Sequence, residues 1–123
     1  MLLNAKIMAF AGTRDAGRAR DFYRDTLGLA LVEENDFALV FDCNGIMLRV
    51  TNVHELNPAR YTVLGWEVPD VTSSVRKLAA AGVAFSRFPG MAQDEDGIWT
   101  SPSGARIAWF ADPDGNVLSL TQF

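Results

Sequence analysis

The chain has a single cysteine, Cys43, and a single histidine, His54, among its 123 residues. One thiol cannot close an intrachain disulfide, so no cystine framework holds the fold, and a reducing cytoplasm is the simpler setting. One imidazole excludes a metal site built from two histidines of the same chain. Long apolar runs are missing too. None approaches the roughly 18 residues that span a bilayer. The opening Met1-Leu2-Leu3-Asn4-Ala5-Lys6 lacks the basic and then long apolar stretches of a signal peptide. Nor is there a surplus of positive charge: the formal net charge is -4. Nucleic-acid binding needs a basic face, so neither nucleic acid nor membrane is an expected partner. The densest basic stretch, Arg14, Arg18, Arg20 and Arg24, is interleaved with Asp15, Asp21 and Asp25, the pattern of a solvated helix face.

What the sequence does have is apolar residues, 49% of the total, enough for one core in a chain of this length. Residues 5–13 read as a strand. Asp15 offers an N-cap, after which Ala16, Ala19, Phe22, Tyr23, Thr26 and Leu27 recur at helical spacing, and Gly28 supplies a residue that can turn left-handed. Strands are expected over 29–34, 37–41 and 46–51, the last two joined at Asn44-Gly45, the strongest short hairpin signal. Residues 53–60 are polar, contain Pro58 and read as a linker.

Beyond it the pattern restarts. A strand is expected over 61–68 and a helix from Asp70 to Gly82, with Val71, Val75, Leu78 and Ala79 on its apolar face. Strands over 83–88, 105–111 and 116–121 follow, the last pair joined at Asp112-Pro113-Asp114-Gly115. The cap residues Asp15 and Asp70 are 55 apart, and the hairpin residues Asp42 and Asp112 are 70 apart. The difference of 15 falls mainly in the loop after Phe88. Repetition of a whole supersecondary unit indicates a duplicated module.

Three stretches carry a family resemblance. Asp15 followed by Phe22-Tyr23-Arg24-Asp25-Thr26-Leu27-Gly28, then Val68-Pro69-Asp70-Val71 with Leu78 and Ala81-Gly82-Val83, then Phe110-Ala111-Asp112-Pro113-Asp114-Gly115-Asn116 stand in order along nearly the whole chain. Together they resemble the vicinal oxygen chelate superfamily of glyoxalases, bleomycin-resistance proteins and extradiol dioxygenases. The resemblance implies an α+β fold, a single domain over 1–123. It consists of two βαβββ modules, about 4–52 and 61–123, whose curved mixed sheets enclose a ligand cleft. Modules of this family pair within a chain or between chains, and a homodimer is the expected partner state.

The resemblance also implies four metal-ligand positions, one in the first and one in the last strand of each module. Carried onto this sequence they are Met8, Arg49, Val63 and Ser119. None suits a divalent cation: Met is a soft donor, Val has none, Ser is poor, and Arg carries a permanent positive charge. No cofactor is therefore expected. Strand alternation from those positions gives a ligand-facing set of Met8, Phe10, Met47, Arg49, Val63, Glu67, Val117 and Ser119, to which Trp99 adds a stacking surface. Trp109, across the same turn, is open to either stacking or packing.

The leading expectation is metal-independent binding of a small, partly apolar and anionic molecule in the cleft between modules. Alternatives are a lyase, isomerase or dioxygenase-type enzyme with altered or displaced active-site residues, for which Arg49 and Glu67 are the catalytic candidates, and a non-catalytic interaction module. His54 reads as a solvated loop residue. Cys43 reads as an inert hairpin cysteine. The acidic run Asp94-Glu95-Asp96 lacks an EF-hand's spacing.

Overall fold

A computed structural model describes all 123 residues. In chain order the elements are β1 (Met8–Thr13), α1 (Ala16–Arg20), β2 (Ala30–Glu34), β3 (Ala38–Cys43), β4 (Ile46–Asn52), β5 (Leu64–Glu67), α2 (Val71–Ala80), β6 (Trp99–Thr100), β7 (Arg106–Ala111) and β8 (Val117–Gln122). The helix α1 runs on as a π-helix over Asp21–Thr26. The strands form two four-stranded mixed sheets, ordered β1-β4-β3-β2 and β5-β8-β7-β6. In each the first and last strands pair in parallel and the rest antiparallel. The fold is therefore α+β with two βαβββ halves. The chain divides into two compact units, Met1–Asn57 and Pro58–Phe123, each holding one complete sheet and its helix. No helix is long and apolar enough to cross a membrane.

The same local chemistry starts both helices. Asp15 and Asp70 have nearly equal backbone angles, and each carboxylate accepts a hydrogen bond from the amide three residues on, Arg18 and Ser73, at 3.1 Å. The ends differ. After α2, Gly82 takes φ +99°, its amide bonds the Ala79 carbonyl and the Val83 amide bonds that of Leu78, a complete Schellman closure. At the first helix the Leu27 amide reaches back five residues to Phe22, so the final turns are wider by one residue. That widening carries Phe22 and Tyr23, stacked edge to face at 5.3 Å, with Tyr23 fully buried.

Each helix covers one face of its own sheet. In the first unit Ala19 and Tyr23 lie buried with Leu39, Phe41, Leu48 and Val50, and the Tyr23 and Phe41 rings are 5.8 Å apart. In the second, Val71 and Val75 lie buried with Ala108, Phe110, Leu118 and Leu120. Each large apolar side chain so removed from water contributes about 1.5–3 kcal/mol. The Asn44-Gly45 turn has φ of 51° and 92°, the doubly left-handed geometry that joins Cys43 directly to Ile46.

The strand expected over 83–88 is absent. The segment alternates apolar and polar residues, but its alternation serves packing: Phe85 meets Phe110 at 5.4 Å. The Ser86 amide bonds the Trp109 carbonyl. Two more of the segment's backbone groups are bonded by one side chain. Gln93 accepts from the Phe88 amide at 2.8 Å and donates to the Ser86 and Gly97 carbonyls at 2.9 Å each. The fourth strand of this sheet is instead the two-residue β6, just beyond the loop expected after Phe88.

The internal repeat holds in register across the parallel ladders and slips by one residue in β7, where Ala111 and Trp109 stand as Asp42 and Val40 do, 69 residues on. Met8 pairs with Met47, and the Val63 amide bonds the Val117 carbonyl, so the offsets of 55 and 70 hold across the two parallel ladders. The extra residues lie between α2 and β7.

Candidate functional site

The sheet faces turned away from the helices hold the site residues expected from sequence. Because directly opposed residues share a face, each face can be described as rows running across the strands. In the first sheet the rows are Met8–Met47–Asp42, Phe10–Arg49–Val40 and Gly12–Thr51–Ala38. In the second they are Val63–Val117–Ala111, Gly65–Ser119–Trp109 and Glu67–Thr121–Ile107, with Trp99 opposite Ile107. Met8, Phe10, Met47 and Arg49 thus fall together on one face of the first unit. Val63, Glu67, Trp99, Val117 and Ser119 fall together on one face of the second.

On the first face Met8, Phe10 and Met47 are 44%, 57% and 40% exposed, an apolar surface left uncovered by the helix of that unit. Arg49 lies half-buried between Phe10 and Val40, with no acidic partner on its own sheet. The end of the face opens into a hollow of about 340 Å³ lined by Ile7, Met8, Val32, Val40 and Met47, with Lys6 and Asp42 as its charged groups. On the second face Trp109 is central. Phe88 stands edge-on to it at 5.6 Å, and Trp99 lies tilted beside it at 6.2 Å. Beside Trp109 the row drops to Ser119 and Gly65. Glu67 is exposed at the end of β5, without a side-chain hydrogen bond to position it.

The four positions that would hold a metal keep one geometry in both units. Met8 pairs two residues before Arg49 on β4, and Val63 two residues before Ser119 on β8. Their side chains are a thioether, a guanidinium, an alkyl group and a hydroxyl, which do not fit a divalent cation. No group of three or more His, Cys, Asp or Glu side chains comes together in a way that could hold one. His54 is exposed after β4. The acidic run is occupied by its own neighbours: Asp94 accepts from the Asp96 and Ile98 amides, Arg76 pairs with Asp96 at 3.1 Å, and Arg87 bonds the Glu95 carbonyl. It is a loop clamp. Its contacts to Arg76 raise that guanidinium further above its ordinary range, chiefly through the Asp96 hydrogen bond.

Phe88 and Val40 escaped the sequence reading, and Trp109 was left undecided there. Setting the Ala111–Val117 hairpin register places Trp109 opposite Ser119, but a five-residue turn offers no fixed register in sequence. Phe88 reaches the face from a segment without strand structure, so alternation could not orient it.

Solved structures with the same fold include a lactoylglutathione lyase from Agrobacterium tumefaciens. It has a TM-score of 0.74 and 19% identity over 96% of this chain and 93% of that one. A member of the glyoxalase/bleomycin resistance protein/dioxygenase superfamily from Sphaerobacter thermophilus has a TM-score of 0.73 and 22% identity, with both chains covered in full. A protein of the same description from Alicyclobacillus acidocaldarius has a TM-score of 0.68 and 19% identity over 98% and 92%. No curated protein matches the sequence. At these identities the likeness is one of fold. The family model named Glyoxalase/Bleomycin resistance protein/Dioxygenase superfamily matches residues 7–120, and the chain belongs to that superfamily.

Proposed function

We propose that the protein binds a small, largely apolar molecule bearing an anionic oxygen, without the help of a metal ion. The observation that carries this reading is Arg49. It stands where the superfamily places an acidic ligand. It lies half-buried between two apolar residues and lacks an acidic partner on its sheet. A guanidinium in such surroundings has lost part of its hydration and is matched by a carboxylate, phosphate or acidic hydroxyl in a fork geometry. The exposed methionines and Phe10 supply the apolar wall that small-molecule sites tend to have. Sequestration of such a molecule is enough to account for these features. Catalysis through Glu67 has no comparable support, since that carboxylate is exposed and unpositioned. The lone thiol fits a cytoplasmic protein.

A thermal-shift screen over small aromatic and aliphatic acids and their neutral amides tests the reading. Acids should raise the melting temperature more than amides, and EDTA should leave both effects unchanged. Arg49→Met should weaken binding of the best acid by about 1.5–3 kcal/mol, the scale of a charge-assisted hydrogen bond. Binding that survives Arg49→Met intact, or that EDTA abolishes, would contradict it.

A further inference from the structure

The central row of the ligand face differs in kind between the two units. In the first it is Phe10–Arg49–Val40, with two bulky neighbours around a cation. The matching row of the second is Gly65–Ser119–Trp109, one large ring beside two small residues. Such a row steps down from an indole to a hydroxymethyl group and then to bare backbone, the side-chain sizes of a slot with one flat wall. Trp99, tilted 40° to Trp109, and Phe88, edge-on to it, hold the indole in place.

The floor of the slot has an unused polar group. Ser119 is only 5% exposed, and its hydroxyl makes no side-chain hydrogen bond. No fully buried polar side-chain atom in the chain lacks a partner. The Ser119 oxygen therefore keeps a small opening, and it lies beside Gly65, where an added Cβ would be 3.0 Å from it and 3.8 Å from the Thr62 methyl group. A nearly buried hydroxyl with no protein partner keeps its donor and acceptor free for a group that enters by that opening. Gly65 thus leaves both the space and the access that Ser119 needs to reach something other than protein.

We propose that this slot receives a planar aromatic ring stacked on Trp109, with a hydrogen-bonding atom on the ring's edge directed at the Ser119 hydroxyl. The proposal goes beyond the small-molecule reading above, whose residues lie on the first unit, and concerns the corresponding face of the second unit. A flat wall favours an aromatic ring over a puckered aliphatic one, since stacking gains contact over the whole ring. The edge polar atom follows from the single available hydroxyl. A saturated ring, an acyl chain or a segment of a second copy of the chain would gain from the apolar wall but not from both features together.

The probe is 2-naphthoate, with its saturated counterpart decahydro-2-naphthoate as the control. The full-length chain, labelled with ¹⁵N, is titrated and the three indole N–H signals are followed, each assigned by single substitution of Trp66, Trp99 or Trp109. The Trp109 and Trp99 signals should move together in a saturable way while that of Trp66, on the other side of the sheet, stays in place. The saturated acid should bind about tenfold more weakly, and Trp109→Leu should cost a similar factor. Gly65→Val should block the slot. Ser119→Ala, which removes one oxygen, should weaken binding roughly threefold to tenfold and keeps the test open if Gly65→Val fails to fold.

Equal affinity for the two acids overturns the proposal, as does binding that leaves the Trp109 signal unmoved or no binding of 2-naphthoate at millimolar concentration. Arg49→Met in the same titration separates the two readings. Affinity lost in that variant with a silent Trp109 would keep the anion site and sink the slot. A moving Trp109 signal with affinity unchanged by Arg49→Met would do the reverse.

Discussion

Cys43 lies beside the Asn44-Gly45 turn, and its thiol is pushed above the ordinary range, first by burial and then by the neighbouring Asp42 carboxylate. A raised pKa means less thiolate at any given pH. Alkylation by iodoacetamide should therefore be slower than for N-acetylcysteine, and the midpoint of its pH-rate profile should lie higher. Asp42→Asn should bring that midpoint part of the way back by removing the second cause. A midpoint below that of N-acetylcysteine would contradict this and mark Cys43 as reactive. The inert reading of this residue was available from sequence, because no Lys or His stands near it to stabilise a thiolate. The faces of Met8 and Arg49 were equally legible, since period-two alternation is all that is needed once one strand residue is oriented. The neighbours of Ser119 were not, because they depend on a register between strands.

At the level of elements, the reading succeeded where a boundary has its own chemistry. Asp15 and Asp70 cap, Gly82 closes a helix, and Asn44-Gly45 turns a hairpin. It failed at 83–88, where Val83-Ala84-Phe85-Ser86 alternates like a strand while the Ser86 carbonyl and Phe88 amide are bonded by Gln93. A side-chain amide some residues away that takes over backbone partners leaves no periodic trace. The π-helical turn at Asp21–Thr26 was illegible for the same reason: the apolar spacing of Phe22, Tyr23 and Thr26 suits either winding. Gln93 carries a stability consequence. Gln93→Leu removes three hydrogen bonds in a partly buried segment and should cost about 2–3 kcal/mol. Urea unfolding should show a lower midpoint at unchanged slope. A loss below about 0.5 kcal/mol would mean that water replaces the amide without penalty.

At the scale of the molecule, the first sheet ends at β1 and β2 and the second at β5 and β6, where Trp99 is bridged by Gln93. Phe10 on β1 and Val32 on β2 are 57% and 62% exposed, so these edges carry apolar surface as well as unpaired backbone groups. A homodimer is the expected state, and sedimentation at micromolar concentration should find twice the 13.5 kDa of one chain. A monomer alone would contradict it. Every hydrogen-bonded strand pair closes within Met1–Asn57 or within Pro58–Phe123, and none bridges the junction. Ring closure therefore spans a few dozen residues at most, which keeps its entropic cost small and lets either half nucleate without waiting for the other. The two halves should behave as separate cooperative units of opening. Hydrogen exchange under mild denaturant should sort the amides of residues 8–52 and 64–122 onto two distinct isotherms. A single isotherm for both sets would show that the chain opens only as one piece.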